Sequence, residues 1–287
     1  MDLMTWAGDS APSAEGEKLF DLFRRPQGRS RPRPDERAVI ESARTDELTV
    51  DGTTVVTYAW GEGPRPVLLV HGWESRASRY AKLVARLVEL GYSPVSFDAA
   101  GHGESGGEGT TLLEYRAVIT ELHRSHGDFA AVVGHSFGAL ATFLSLSRGL
   151  RADRLVAISA VPDFGYLVDS FCAHAGLGPR LEDEVRHRLE HDLYPGEDMW
   201  TRFSVLHHAP LVQVPLLLIH DENDEAVGVE QTERIAGVFG DRARLVTTRR
   251  FGHRRILGSP AVVDEIVRFV TGEQSTAAGR QDEVTTR

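Results

Sequence analysis

The sequence predicts an α/β protein, a mostly parallel doubly wound sheet interrupted by a helical cap. Three observations carry this expectation. Short apolar runs without polar alternation, such as VLLV at 67–70 and VPLLLIH at 214–220, read as strands buried on both faces. Stretches of helical period stand between them. The alternation breaks once, over 161–210, where apolar positions recur at helical spacing and no strand appears. Alternating strands and helices imply a parallel sheet covered on both sides.

Residues 1–36 hold a short amphipathic helix candidate (Leu19, Phe20, Phe23). An arginine- and proline-rich stretch follows at 24–34 (RRPQGRSRPRP), read as a solvated, extended linker. The core spans 37–162 and 210–271. DELTV and TTVVTYAW flank Asp51-Gly52, a hairpin signal. PVSFD (94–98), FAAVV (129–133), RLVAIS (154–159) and ARLVTT (243–248) add strands. Helical patterns cover 81–90, 111–127, 136–148, 229–239 and 260–270. The insertion at 163–209 reads as two or three helices capping the carboxyl edge of the sheet. The tail, 272–287, lacks apolar periodicity and is expected to be disordered.

Bulk properties exclude several function classes. A net charge of −10 argues against nucleic acid as a partner. The single cysteine, Cys172, rules out an internal disulfide framework and a cysteine-rich zinc site; a buried structural thiol is expected. No stretch approaches the ~20 apolar residues of a membrane span, and Met1–Ser10 lacks the features of a secretory signal. A cytoplasmic protein without stable membrane insertion is the expectation. No G-x-G-x-x-G stands between a strand and a helix, and His207 and His208 have no carboxylate or cysteine at ligand spacing. Neither cofactor nor metal is expected, and oligomeric state is left open.

The chemistry turns on a serine. The pentapeptide G-x-S-x-G occurs twice, as GHSFG at 134–138 and GESGG at 103–107. A nucleophile elbow needs a strand feeding the turn and a helix leaving it. Only the first has both, so Ser136 is the candidate nucleophile and Ser105 a loop residue. A serine hydroxyl needs a base, a group to orient that base, and donors for the oxyanion. Reactive groups in open α/β sheets lie at the carboxyl ends of strands. His253 follows a strand on a glycine-flanked turn, whereas His220 sits within one. The acid is read as Asp224, in HDENDEAVG, with Asp221 and Asp163 as alternatives. The oxyanion donors are the backbone N–H groups of Phe137 and Trp73.

LLVHGW, FDAAGHGESGG, VVGHSFGA, LLLIHDENDEAV and GHRRIL, in this order, make the chain from Asp46 to Val270 resemble the α/β-hydrolase superfamily, on its serine esterase-like branch. The resemblance implies an eight-stranded sheet with its cap between the sixth and seventh core strands. It also implies Ser136 as nucleophile, Asp224 as acid, His253 as base, and oxyanion amides on Trp73 and Phe137. His71 and His102 would then be structural. Serine at the elbow speaks against the epoxide-hydrolase and haloalkane-dehalogenase branches.

The expected function is hydrolysis of a carboxylic ester with a small, mainly apolar acyl group. Trp73, Phe137, Phe164, Tyr166 and Trp200 are candidate substrate-binding residues, and Phe171 and Phe203 further possible lining. Amidase or peptidase, thioesterase and acyltransferase chemistry remain open. So do cofactor-free peroxidase-like chemistry and a ligand-binding protein with little turnover.

Overall fold

A computed structural model describes residues 13–196 and 198–273, and the backbone of 284–286. The described residues open with α1 (Ala14–Arg24), capped by the Ser13 hydroxyl, which accepts from the Gly16 amide at 2.9 Å. A short helix, α2 (Arg37–Glu41), leads into the hairpin of β1 (Arg44–Val50) and β2 (Thr53–Ala59), turned at Asp51-Gly52. There follow β3 (Pro66–Val70), α3 (Ala81–Glu89), β4 (Ser93–Phe97), α4 (Leu112–His126), β5 (Ala131–His135), α5 (Phe137–Ser147) and β6 (Leu155–Ile158). The cap holds α6 (Phe164–His174), α7 (Pro179–Arg188) and the one-turn α8 (Met199–Arg202) and α9 (Val205–His208). The core resumes with β7 (Leu216–Asp221), α10 (Val229–Phe239), β8 (Ala243–Thr248), α11 (Gly252–Arg255) and α12 (Pro260–Thr271).

The strands run in the order β1-β2-β4-β3-β5-β6-β7-β8, with a short β9 (Val284–Thr286) antiparallel on the far edge. From β4 through β8 all pairings are parallel. Side chains of β3 alternate between two apolar layers: Leu68 and Val70 join one, Val67 and Leu69 the other. This two-faced burial is why the strand sequences show no polar alternation.

Two expectations need correction. The eight strands expected are present, and among the described residues a short ninth is added at the far edge. Residues 284–286 of the tail, expected to be disordered, supply the ninth by pairing their backbone to β8; residues 274–283 lie outside the described ones. The arginine-rich stretch is exposed over most of residues 27–34, as a solvated linker would be, but it is not free of the core. The Arg29 guanidinium donates to the carbonyls of His102, Gly103, Ser105 and Gly107. Arg76 and Arg79 donate to the Ser30 and Arg31 carbonyls. Composition suggested an extended chain, which it is, but carbonyl acceptors on the core dock it.

The strand order reverses direction between β3 and β5, which lie side by side with Val70 opposite Gly134. Crevices form at such switch points, beyond the carboxyl ends of the strands. The loops bearing Trp73 and Ser136 both leave there.

Candidate active site

Ser136 sits between β5 and α5 with φ 53° and ψ −121°, a conformation that costs an ordinary residue on the order of 1–3 kcal/mol. The turn is enforced from both sides. The Ser136 amide donates to the Ile158 carbonyl at 2.9 Å, and the Ala139 amide donates to the Ser136 carbonyl at 2.9 Å. The two glycines of the motif are steric requirements. A Cβ on Gly134 would lie 2.7 Å from Ala139 Cα, and one on Gly138 2.4 Å from the His71 carbonyl oxygen.

Ser105 is different in kind. Buried beside β2, its hydroxyl donates to the Asp98 carbonyl and accepts from the Val56 amide at 2.8 Å. Asp98 accepts from Tyr58 Oη, the Glu104 and Ala77 amides and the buried Arg76 guanidinium. The second pentapeptide is thus a structural loop around a buried carboxylate.

The loop after β3 carries Trp73. His71 is fully buried, and burial, with the charge of His102 next, pushes its imidazole down to about 3, so it is neutral at physiological pH. Its Nε2 accepts from the Ala99 amide at 3.0 Å, which makes Nδ1 the donor to the Gly72 carbonyl at 2.7 Å. In a trans peptide the carbonyl and the following N–H point in opposite directions. Fixing the Gly72 oxygen therefore fixes the direction of the Trp73 N–H. His102 accepts from the neighbouring Glu74 amide at 3.1 Å. Among the described residues, the Trp73 and Phe137 amides have no protein acceptor; the latter opens α5, where the helix itself supplies none. A Cβ on Gly72 would touch Ser136 Cβ at 3.0 Å, so this loop lies directly against the serine. The Trp73 and Phe137 rings meet edge to face at 5.7 Å.

His253 Nδ1 hydrogen-bonds Asp224 Oδ2 at 2.8 Å. Asp224 also accepts from the Ala226 and Val227 amides, each at 2.9 Å. Burial alone would raise its pKa; the His253 hydrogen bond and charge, with the Val227 amide, hold it well below the usual carboxylate range. His220 hydrogen-bonds the Val227 carbonyl at 2.8 Å and so anchors the turn that aims Asp224. Asp221 does not reach the imidazole. It accepts from the Phe251 and Gly252 amides and pins the loop that carries it. Asp163 caps α6 by accepting from the Tyr166 amide. His135 Nε2 donates to the His253 carbonyl at 2.8 Å, and the two rings lie 4.7 Å apart, next to Ser136. Among the described residues no hydrogen bond joins the Ser136 hydroxyl to His253, a link that often tightens only when substrate binds.

A cavity of about 490 Å³ opens over Ser136, Phe137 and Trp73. Phe164 and Phe171 line it. Tyr166 and Trp200, named from sequence as substrate-binding, do not. The Tyr166 hydroxyl accepts from the Gly228 amide beside the Asp224 turn, while the Trp200 indole donates to Glu190 outside the cavity with Arg186 over its ring. Phe203 is buried behind the wall, against Tyr194 and Phe164. Leu22 and Phe23 of α1, Leu167 of α6, and Leu193 and Tyr194 line the cavity without having been identified from the sequence. The apolar period of α1 was visible, but nothing local said what it would face.

Among the described residues no helix is long and apolar enough to cross a membrane. Residues 67–272 match the model of the alpha/beta hydrolase family. A non-heme haloperoxidase of Rhodococcus erythropolis is 32% identical over 117 residues, 39% of this chain and 42% of its own length. The human serine hydrolase-like protein is 33% identical over 104 residues, 33% of this chain and 49% of its own length. These matches span less than half of either relative. Of solved structures, an esterase from Pyrococcus furiosus superposes with a TM-score of 0.62 at 22% identity, over 87% of this chain and 96% of that one. The thioesterase domain of the curacin biosynthetic pathway gives 0.57 at 17% identity, over 80% and 98%. The structural likeness speaks to the fold. With a family match that runs from β3 through the end of α12, the chain belongs to the α/β hydrolase family.

Proposed function

We propose that this protein is a serine hydrolase that cleaves carboxylic esters through an acyl-enzyme on Ser136. In this reading the Ser136 hydroxyl attacks the ester carbonyl while His253 takes its proton. Asp224 holds the imidazole in the tautomer that leaves Nε2 free to accept, and favours its charged form once protonated. The Trp73 and Phe137 amides receive the oxyanion, where each donor is worth about 3 kcal/mol of transition-state stabilisation. His253 then returns the proton to the leaving alcohol and activates a water that releases the acid. What supports the reading is a strained serine opening on the cavity beside two amides that have no acceptor among the described residues, with a hydrogen-bonded histidine–carboxylate pair whose histidine ring lies 4.7 Å from that of His135, the residue before the serine.

A panel of p-nitrophenyl esters, thioesters and aminoacyl amides tests it. Multiple turnover fastest on the esters is expected. Preference for amides or thioesters would move the reading to peptidase or thioesterase chemistry, and a single stalled acylation would make it a binding protein. The haloperoxidases among the relatives favour one second reading, cofactor-free peroxidase-like chemistry at the same serine. Peroxide-dependent halide oxidation that outpaces ester hydrolysis would support it.

A further inference from the structure

The cavity wall facing Ser136 is not built by core and cap alone. Leu22 and Phe23 reach it from α1, at the start of the described chain. That helix is held at both ends. At its start the Ser13 amide and hydroxyl both donate to the Glu184 carboxylate of α7, each at 2.7 Å. Beyond its end the Gln27 amide donates to Glu74, next to Trp73, at 2.9 Å. Phe20 is buried, and Phe23 packs edge to face on Phe164 and Phe171 at 5.8 and 5.2 Å. So α1 is a fixed wall.

Leu22, in contrast, is 43% exposed. Of the five large apolar side chains left exposed among the described residues, it alone lines the cavity. Apolar surface on a concave wall gains by being covered, and each methylene buried against it raises binding about three- to four-fold. The cationic rim calls for no anionic substrate, because Arg24 and Arg25 are already paired with Asp21 and Glu108. A volume of about 490 Å³ exceeds the needs of an acetyl group and sits within the range of sites that take drug-sized ligands.

We propose that α1 forms an acyl-chain subsite, with Leu22 its central contact, that selects esters of medium-chain, uncharged apolar acids over acetyl esters. The proposal rests on Ser136 acting as the acyl acceptor. Its test is the ratio of kcat/KM for p-nitrophenyl octanoate to that for the acetate, measured in wild type and in Leu22→Trp, which narrows the wall. The ratio is expected to fall at least about ten-fold, the scale on which an apolar pocket discriminates by size. Leu22→Ser, which keeps the space but loses the apolar contact, should lower it about three-fold. Leu211→Trp, the same change on an exposed leucine remote from the cavity, should leave it unmoved. An unchanged ratio in both Leu22 variants, or an equal fall on both esters, would overturn the proposal. Relative labelling rates with octyl and ethyl fluorophosphonates give the same ratio if turnover is too slow to measure. Failure of both reagents to label Ser136 would instead defeat the serine-hydrolase reading, and this one with it.

Discussion

On its core side the cavity is walled by backbone. The Trp73 loop and the Ser136 turn that opens into Phe137 are each fixed by a hydrogen bond with a buried group, His71 donating to the Gly72 carbonyl and the Ser136 amide donating to the Ile158 carbonyl. The Asp224 turn behind them is fixed in the same way by His220 on the Val227 carbonyl. On its cap side the wall is side chains. Leu22, Phe23, Leu167 and Phe171 come from two helices far apart in sequence, meet through ring edges and apolar surface, and in part face solvent. A hydrogen bond fails with a small shift in direction, whereas apolar contact tolerates repacking. The contrast predicts that damage to the first wall lowers turnover, while damage to the second redirects choice of substrate.

The largest effect should come from the serine itself. Ser136→Ala is expected to lower turnover of a p-nitrophenyl ester roughly 10⁴–10⁶-fold without moving Tm. Asp224→Asn, which leaves the geometry but offers the imidazole the wrong tautomer, should cost roughly 10⁴-fold in kcat. His71→Phe removes the donor that fixes the Gly72–Trp73 peptide. Loss of about 10²-fold in kcat with little change in KM is expected, the signature of a group that acts on the transition state through a neighbour. Trp200→Leu, on a side chain outside the cavity, should keep activity within about two-fold of wild type, and an equal loss there would mean that His71→Phe acts by general destabilisation.

Stability should be acid-sensitive because two buried imidazoles stand behind the site. Burial pushes both His71 and His135 down to about 3. Between pH 6.5 and 3 the unfolded chain therefore binds protons at these positions that the folded protein refuses, so stability falls as pH falls. Each ring should cost about 2 kcal/mol by pH 5. The depressed Asp224 acts in the same direction at lower pH. Unfolding midpoints measured from pH 7.5 to 5 check this, and His135→Gln should flatten the curve.

The two walls also differ in how far the sequence discloses them. Strands came through because burial on both faces leaves continuous apolar runs. Ser136 stood out from Ser105 because a strand–turn–helix can be read from its flanks. Asp221, Asp163 and Asp224 were harder to separate. Each ends or follows a strand, and only the turn anchored by His220 aims one of them at His253. In the cap, aromatic residues at helical spacing marked buried surface but not its direction. Tyr166 and Phe164 are two residues apart, yet only Phe164 turns to the cavity. The Arg29 clamp was illegible because its partners are carbonyls, which every residue carries.

The proposed chemistry depends most on which hydroxyl is activated. A fluorophosphonate label followed by peptide mapping reads this directly. The prediction is one modified serine, Ser136, with labelling abolished in Ser136→Ala and slowed in Asp224→Asn. Label on Ser105, or undiminished labelling of the protein lacking the Ser136 hydroxyl, would contradict it.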